Sequence, residues 1–167
     1  RNAHVVAKAA ERMDALIHLG ATVGDPACDL DERATVETNY EATALIAQAA
    51  RDLGIPRVIF ASTCRVYGTS NHTVDETAVP RPVSLYAATK ADSEKTLLAS
   101  ASDSLHPTVL RIETAFGWSH RPRFDLAVNL LTAKARIEGR IVVYNSNQWR
   151  PFVHVGDIGS AFRRVLE

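Results

Sequence analysis

The stretch Arg57–Lys90, RVIFASTCRVYGTSNHTVDETAVPRPVSLYAATK, decides the fold and the chemistry predicted for this chain. Its apolar run VIFAS is typical of a strand buried on both faces, and it ends on the hydroxyls of Ser62 and Thr63. A polar loop follows, and then a predicted helix that carries Tyr86 and Lys90 four positions apart, on one face. Because ligands of α/β sheets lie beyond the carboxyl ends of the strands, these groups are predicted to face one ligand.

On either side of this stretch, the pattern of apolar residues predicts alternating helices and strands. The predicted elements are a helix over 2–12, a strand over 14–20, a loop over 21–31, a helix over 32–53, the strand 58–62, a helix from 84 or 85 to 99, a strand over 108–112, a loop over 113–124, a helix over 125–138, a strand over 141–144, a turn over 145–151, a strand over 152–155 and a helix from 157. This alternation predicts an α/β fold with a doubly wound parallel sheet.

The composition points to an ordinary globular domain with a small-molecule ligand. The 167 residues carry 19 basic and 19 acidic side chains, without a basic cluster, so no nucleic-acid partner is predicted. No apolar run approaches the roughly 18 residues of a spanning helix, which predicts a cytoplasmic protein without a membrane partner. Cys28 and Cys64 are too few for a disulfide framework, and the six histidines lack metal-ligand spacing, so no metal is predicted.

Four motifs, in order, resemble the extended branch of the short-chain dehydrogenase/reductase family, the NAD-dependent sugar-nucleotide epimerases and dehydratases. They are VIFASTCRVYG, SLYAATK, TVLRIETAFG and QWRPFVHVGDI, accompanied by HLGA after the first strand and TNYEAT in the long helix. A bare YxxxK is a weak signal, whereas the ordered combination is specific. The resemblance implies a Rossmann-like sheet, an enzyme that uses NAD rather than NADP, and a nucleoside diphosphate sugar as substrate.

The resemblance also implies that the chain corresponds to the central portion of a longer enzyme. The family begins with a strand and a GxxGxxG turn that holds the dinucleotide pyrophosphate at a helix N-terminus, and this sequence contains no such turn. Residues 1–112 would form a partial NAD-binding domain lacking its first strands. Residues 113–167 would start the substrate-binding region, with the last strand and helix in that region or returned to the first domain. The chain alone is expected to bind NAD weakly, and a homodimer is expected from the family.

By the same resemblance, Tyr86 is the acid/base that exchanges a proton with a sugar hydroxyl while hydride moves to and from NAD. A free phenol, with a pKa near 10, is a poor base at neutral pH. The positive charge of Lys90, added to that of oxidised nicotinamide, is expected to lower the Tyr86 pKa. Thr63 matches the strand-end hydroxyl that orients the reacting group, and Ser62, on the opposite strand face, is its competitor. The structural alternative is a half-buried tyrosine and a solvated lysine.

The two residues after Thr63 bear on the type of reaction. In the family's 4,6-dehydratases this position carries an Asp-Glu pair that supplies the acid and base for water elimination, but here it is Cys64 and Arg65. Arginine stays protonated in proteins and cannot serve as such a base. The resemblance therefore favours epimerisation, or another reaction through a transient keto-sugar, over 4,6-dehydration.

Further site residues are implied by their positions in the matching motifs. The guanidinium of Arg150 suits a bidentate contact with the nucleotide diphosphate. Asn39 could equally be a structural hydrogen-bonding residue. The implied cofactor-binding residues are Leu19, Gly20, Ala21, Asn39, Ser62, Tyr86, Lys90 and Thr114. The implied substrate-binding residues are Thr63, Tyr86, Arg123, Asn129 and Arg150.

Two other functions remain open at this point. One is an NAD(P)-dependent reductase of a small carbonyl compound, which would share the chemistry of Thr63, Tyr86 and Lys90 but would not need a diphosphate-binding arginine. The other is a binding protein that kept the fold without catalysis. The intact set of Thr63, Tyr86 and Lys90 argues against this last function.

Overall fold

A computed structural model of the chain describes residues 2–144 and 146–167. These residues divide into two units, the first running to Arg111 with Leu166 added, and the second comprising Ile112–Val165 with Glu167. The helices and strands mix, and the strands pair in parallel within each unit, as the sequence predicts for an α/β fold. The residues that carry the predicted proton-transfer chemistry all lie in the first unit.

In the first unit, the described residues form a three-stranded sheet with the strand order β1-β2-β3. The strands are β1 (Ala15–His18), β2 (Arg57–Thr63) and β3 (His106–Ile112). β1 and β2 are parallel, with His18 opposite Phe60. The carboxyl ends of these two strands therefore lie at the same edge of the sheet, and β2 extends three residues further.

Helices connect and cover these strands. Side chains cap several of them: the Asp31 side chain accepts from the Ala34 N–H (2.9 Å), and the Ser84 hydroxyl accepts from the Ala87 N–H (3.3 Å). Such caps satisfy backbone donors that have no partner within the helix. The helices are α1 (Ala3–Ala10), α2 (Asp25–Asp29), α3 (Glu32–Val36), α4 (Ala42–Asp52) and α5 (Leu85–Ala99), with a π-helical turn over Glu37–Glu41 and a 3₁₀ turn over Cys64–Tyr67.

The core of the first unit lies between the sheet and helices α1, α4 and α5. Val58 and Phe60 of β2 are fully buried there, as expected of a strand covered on its face by helices. Small alanines on α4 let that helix approach the sheet closely. The buried cluster consists of Ala10, Ala47, Ala50, Ile55, Val58, Phe60, Leu97 and Leu105.

One prediction about the first unit is wrong. The segment 21–31 is predicted to be a loop, but it contains α2, which begins with Gly24 as cap and Pro26 in its first turn. Proline is compatible with a helix start because the first N–H groups have no helical partner. The predicted helix over 32–53 is confirmed over 32–52, and it contains the π-helical turn, a feature that is frequent at functional sites and that local sequence patterns do not reveal.

The second unit contains β4 (Thr114–Phe116), α6 (Ala127–Glu138), β5 (Phe152–His154) and most of α7 (Val155–Leu166). β4 and β5 form a parallel pair. β4 lies where the sequence predicted a loop, because a three-residue strand is too short to show periodicity.

The predicted strand over 141–144 is wrong. Its apolar residues have irregular backbone and about half of the surface of Ile141, Val142 and Val143 is exposed. Asn145, the first residue of the turn predicted over 145–151, lies outside the described residues. Among the described residues, no helix combines the length and apolar character needed to span a membrane.

Candidate active site

Thr63 and Tyr86 come together at the end of β2. Thr63 is the last residue of the strand, and its Oγ1 accepts from the Arg65 N–H (3.2 Å), which starts the 3₁₀ turn. Tyr86 is the second residue of α5 and is 8% exposed. The Tyr86 phenol lies close enough to Thr63 for that side chain to lower the phenol pKa. Two of the three residues predicted to carry the proton transfer therefore lie near each other.

The protonation of Tyr86 follows from this environment. Burial raises the pKa of Tyr86, while Thr63 and the positive charge of Arg65 act in the opposite direction. The Lys90 ammonium donates to the Ala61 carbonyl of β2, and its expected effect on the Tyr86 pKa stays a prediction. Tyr86 is therefore a neutral phenol at neutral pH unless a further positive charge approaches it.

Lys90 is buried beneath the sheet edge. Its Nζ donates to the Ala61 carbonyl (2.7 Å) and lies 4.4 Å from the centroid of the Phe60 ring. Burial lowers the pKa of Lys90 to about 8, and the nearby carboxylate of Glu94 acts in the opposite direction. Lys90 is therefore an ammonium at neutral pH whose charge is sensitive to its surroundings. Its 2% exposure excludes the alternative of a solvated surface lysine.

His18, at the end of β1, is a neutral structural residue. Its ring stacks on Phe60 with 5.3 Å between centroids, and its Nε2 lies 3.0 Å from Thr43 Oγ1. The Thr43 hydroxyl donates to the Asn39 carbonyl (2.7 Å), so its oxygen accepts from Nε2–H, which assigns the His18 tautomer. Burial, and then the charge of Lys90, lower the pKa of His18 to about 4.

This low pKa predicts a pH-dependent stability. An unfolded chain binds a proton at the ordinary histidine pKa of 6.5, whereas folded His18 does so only near pH 4. Stability is therefore lowest below pH 4 and rises as the pH increases from 4 to 6.5, by about 3 kcal/mol for this residue. Denaturant unfolding across this range should show that His18→Gln loses the corresponding part of the rise. The exposed His72 provides the control, because His72→Gln removes no buried imidazole; an equal loss in both variants would contradict the assignment.

Asn39 lies in the π-helical turn, with its side chain buried. Its Oδ1 accepts from the Thr22 N–H (2.8 Å), and its Nδ2 donates to the Thr22 carbonyl (3.0 Å) and lies 3.4 Å from Thr89 Oγ1. The amide thus joins the segment after β1 to α5, next to Lys90. These contacts support the structural alternative for Asn39, while its cofactor contact stays a prediction.

The other residues predicted to bind the cofactor in the first unit follow β1. Leu19 is 61% exposed, Gly20 is exposed and Ala21 is half-buried. They continue beyond the same sheet edge at which β2 ends, and they present small side chains or exposed surface. Their assignment to the cofactor stays a prediction.

Ser62 belongs to a buried polar cluster, and its predicted contact with the cofactor stays a prediction. Its hydroxyl donates to the Glu94 carboxylate, which also accepts from Arg111 through Nη2 (2.7 Å) and Nε (3.1 Å). The ring of Tyr67 covers the Arg111 guanidinium at 4.7 Å. Neither Glu94 nor Arg111 is predicted as a site residue from the sequence motifs. A charged residue inside the apolar run TVLRI and an acid four positions after Lys90 were the signals that could have found them.

The Arg65 guanidinium forms an ion pair with a carboxylate of α2. Its Nη1 contacts Oδ2 of Asp25, the first residue of α2. Nearby on the same helix, the buried Cys28 thiol lies 3.4 Å from the Thr22 carbonyl, and burial raises its pKa. The segment after Thr63 thus presents an arginine paired with a carboxylate, and no free carboxylate of its own. No group of three or more His, Cys, Asp or Glu side chains in the described part of the chain could hold a metal ion.

In the second unit, the predicted substrate residues make local contacts. Asn129 Oδ1 accepts from the Gly117 N–H (3.1 Å), and Asn129 Nδ2 donates to the Arg123 carbonyl (3.0 Å). The Arg123 guanidinium pairs with Asp125 through Nε (3.1 Å). Asn129 thus organises the loop between β4 and α6.

Two more predicted residues lie at other places of this unit. Arg150 is exposed and donates to the Gln148 side chain (3.1 Å), and Thr114 begins β4 opposite Phe152. The substrate roles of Arg123, Asn129 and Arg150, and the cofactor role of Thr114, stay predictions.

Comparison with known proteins places this arrangement in a family. The uncharacterized protein MJ1055 of Methanocaldococcus jannaschii is 31% identical over 166 residues, which cover 94% of this chain and 49% of that protein. The chain thus spans about half the length of the curated relatives it matches.

Solved structures share the fold. UDP-glucuronic acid 4-epimerase from Bacillus cereus, in complex with UDP-glucuronic acid and NAD, superposes with a TM-score of 0.85 at 25% identity, covering 100% of this chain and 54% of the other. DesIV, a dTDP-glucose 4,6-dehydratase from Streptomyces venezuelae, gives 0.85 at 25% identity, covering 99% and 52%. The family model of the NAD dependent epimerase/dehydratase family matches residues 1–167. The chain belongs to this family.

Proposed function

We propose that the protein is an NAD-dependent epimerase of nucleoside diphosphate sugars that acts through a transient keto-sugar. The observation that supports it best is that Thr63 ends β2 close to the buried Tyr86, with the buried Lys90 on the same helix. Acid/base groups at the carboxyl edge of a parallel sheet lie where α/β folds bind their ligands. The similar B. cereus epimerase was solved with both UDP-glucuronic acid and NAD.

The residues present fit the reactive end of NAD. The Lys90 ammonium has three donor hydrogens, and Ala61 is the acceptor found for it in the described part of the chain. Lys90 therefore has donors left for a hydroxyl-bearing ligand, and we propose that it holds the nicotinamide ribose together with Tyr86. NAD, when bound, would take a hydride from a sugar carbon and return it.

The chain's own residues carry the proton. Thr63 orients the reacting sugar hydroxyl, and Tyr86 accepts its proton when the carbon is oxidised and gives it back when the carbon is reduced. Because burial raises the pKa of Tyr86, the phenolate needs positive charge nearby. The buried ammonium of Lys90 and the guanidinium of Arg65 are the cations of this unit that support it.

Epimerisation is favoured over 4,6-dehydration by the residues after Thr63. Elimination of water needs a base beside the keto-sugar, and the two positions after Thr63, which carry an Asp-Glu pair in the 4,6-dehydratases, are Cys64 and Arg65 in this chain. Arg65 is permanently charged and is paired with Asp25. The chain is equally similar to an epimerase and to a 4,6-dehydratase, so the preference for epimerisation depends on Cys64 and Arg65. The diphosphate contact of Arg150 and a homodimer are parts of the same proposal.

A product assay tests the proposal. The full-length protein is incubated with NAD and a panel of nucleoside diphosphate sugars, and the products are separated by chromatography and weighed by mass spectrometry. An epimer has the mass of its substrate, whereas dehydration lowers the mass by one water. Turnover of a nucleotide sugar with unchanged mass supports the proposal. Loss of water, turnover restricted to small carbonyl compounds, or binding of the sugar without turnover would overturn it in favour of the corresponding alternative.

Thr63 and Ser62 can be separated by substitution. We expect Thr63→Val, which keeps the shape and removes the hydroxyl, to lower kcat by about 100-fold, because the reacting hydroxyl and Tyr86 lose a hydrogen-bond partner. Thr63→Ser, which keeps the hydroxyl, should retain most of the activity. Steady-state kinetics of the two variants on one sugar nucleotide measures the difference. Equal activity of Thr63→Val and the wild type would remove Thr63 from the mechanism.

A further inference from the structure

Glu94, which the mechanism does not use, is a buried carboxylate with several hydrogen-bond partners. Glu94 is 3% exposed in the middle of α5. Arg111 of β3 binds both of its oxygens, with Nε 3.1 Å from each and Nη2 2.7 Å from Oε2. A buried carboxylate is costly unless such a partner and further hydrogen bonds compensate it. The Arg111 ion pair and the hydrogen bonds thus compensate the cost of burying the Glu94 carboxylate.

Two features connect this pair to the site. The Ser62 hydroxyl donates to Glu94, and Ser62 directly precedes Thr63 in β2. Glu94 also lies one helical turn after Lys90, so its negative charge is on the same side of α5 as the ammonium. The carboxylate thus links β2, α5 and β3 immediately behind the residues assigned to proton transfer.

We propose that Glu94, held by Arg111, is a positioning residue: it fixes the end of β2 through Ser62 and maintains the charge of Lys90 against its burial. This inference rests on the proposed function for its effect on turnover, and on the geometry alone for its effect on Lys90.

The groups that face Lys90 set the direction of the effect. Glu94 on α5 favours the ammonium, and the Cys28 thiol of α2, whose pKa is raised by burial, lies near it without a charge. The neutral His18 of β1 is close enough for Lys90 to lower its pKa. β2 contributes the Ala61 carbonyl and the Phe60 ring. Arg111 on β3 neutralises part of the Glu94 charge.

Titration of Lys90 tests the inference without any need for turnover. The full-length protein is labelled at the lysine ε-carbons, the Lys90 signal is assigned by its loss in Lys90→Arg, and its pKa is followed by NMR. We expect Glu94→Gln to lower the Lys90 pKa by about one unit, because an attractive charge is removed. Arg111→Met should raise it, because the remaining carboxylate is no longer neutralised. Both variants lose the same ion pair, so a purely structural role predicts no such opposite shifts.

A control variant shows whether the Lys90 shift is specific to Glu94. Asp92→Asn removes an exposed acid from the same helix, where it pairs with Lys95, and should leave Lys90 as in the wild type. Circular dichroism reports whether each variant folds. If Glu94→Gln does not fold, Arg111→Met decides: an unchanged or lowered Lys90 pKa in that variant overturns the inference.

The pH dependence of kcat tests whether Glu94 also positions the residues of the site. At high pH, kcat is expected to fall as Lys90 loses its proton, and we call this fall the alkaline limb. In Glu94→Gln the alkaline limb should move to lower pH together with the Lys90 titration. KM for the sugar should change little. Ser62→Ala, which changes no charge, should lower kcat about tenfold and leave the limb in place. Unshifted limbs in both charge variants would overturn the inference. A wild type that turns over no nucleotide sugar would refute the proposed function, while the Lys90 shifts would still decide the role of Glu94.

Discussion

Tyr86→Phe is expected to lower kcat by about 10²- to 10⁴-fold, the range typical of a lost general acid/base. Tyr86 is 8% exposed and its ring is held in the interior beside Thr63, so phenylalanine fits the same space and only the proton carrier is removed. Because the site is buried, bulk water cannot easily replace the phenol. Steady-state turnover of a sugar nucleotide, followed by chromatography, measures the loss.

Two observations make the Tyr86 result specific. Tyr144→Phe removes a phenol that is 84% exposed and should keep wild-type activity. Tyr86→Phe should still bind the sugar nucleotide, since most binding energy comes from other groups of the ligand. Undiminished turnover in Tyr86→Phe would sink the assignment of this residue, and with it the mechanism that we propose.

The largest effect on stability is expected for Gly68→Ala. Gly68 follows the 3₁₀ turn with a φ of +74°, and a Cβ there would lie 2.2 Å from the backbone oxygen of Arg81. The Arg81 N–H donates to the Val66 carbonyl (2.8 Å), so the two segments cannot separate without losing that bond. A side chain at this φ, with a ψ of −144°, costs about 1–3 kcal/mol of backbone strain, and the overlap costs about 1–3 kcal/mol, so the expected free-energy loss is about 2–6 kcal/mol.

Gly54 offers the matched control for this substitution. Its φ is +66°, but nothing lies within 4 Å of an added Cβ. Gly54→Ala should therefore cost only the backbone strain, about 1 kcal/mol. Denaturant unfolding of both variants, followed by circular dichroism, separates strain from overlap. Equal destabilisation by the two substitutions would show that the contact with Arg81 does not matter.

Sequence patterns predicted most elements of the first unit because those elements depend on local periodicity. The apolar run before Ser62 became β2, and the helix opened by Ser84 became α5. The patterns failed where local signals have two meanings. Pro26 follows a glycine and an aspartate, which favours a turn, yet it starts α2. The apolar run over 141–144 reads as a strand, but it pairs with no strand in the described residues.

For the site residues, too, the sequence predicted the local arrangement but not the contacts between distant segments. The spacing of Tyr86 and Lys90 put both on one helix face, and both are buried at the site. Their partners could not be predicted in this way. Lys90 donates to the Ala61 carbonyl, and Arg65, within the 3₁₀ turn, places positive charge near Tyr86. Burial and charge at one atom depend on every segment packed around it.

By itself, the sequence determined the α/β class, the order of the main elements, and the presence of Thr63, Tyr86 and Lys90 in motifs of the epimerase/dehydratase family. Those features depend on neighbours along the chain. Only the tertiary structure decided that the Ser62 hydroxyl donates to the Glu94 carboxylate, that Arg111 forms an ion pair with this carboxylate, and that burial raises the pKa of Tyr86. The physical reason is that these properties arise between residues that are distant in sequence and become neighbours only when the core excludes water.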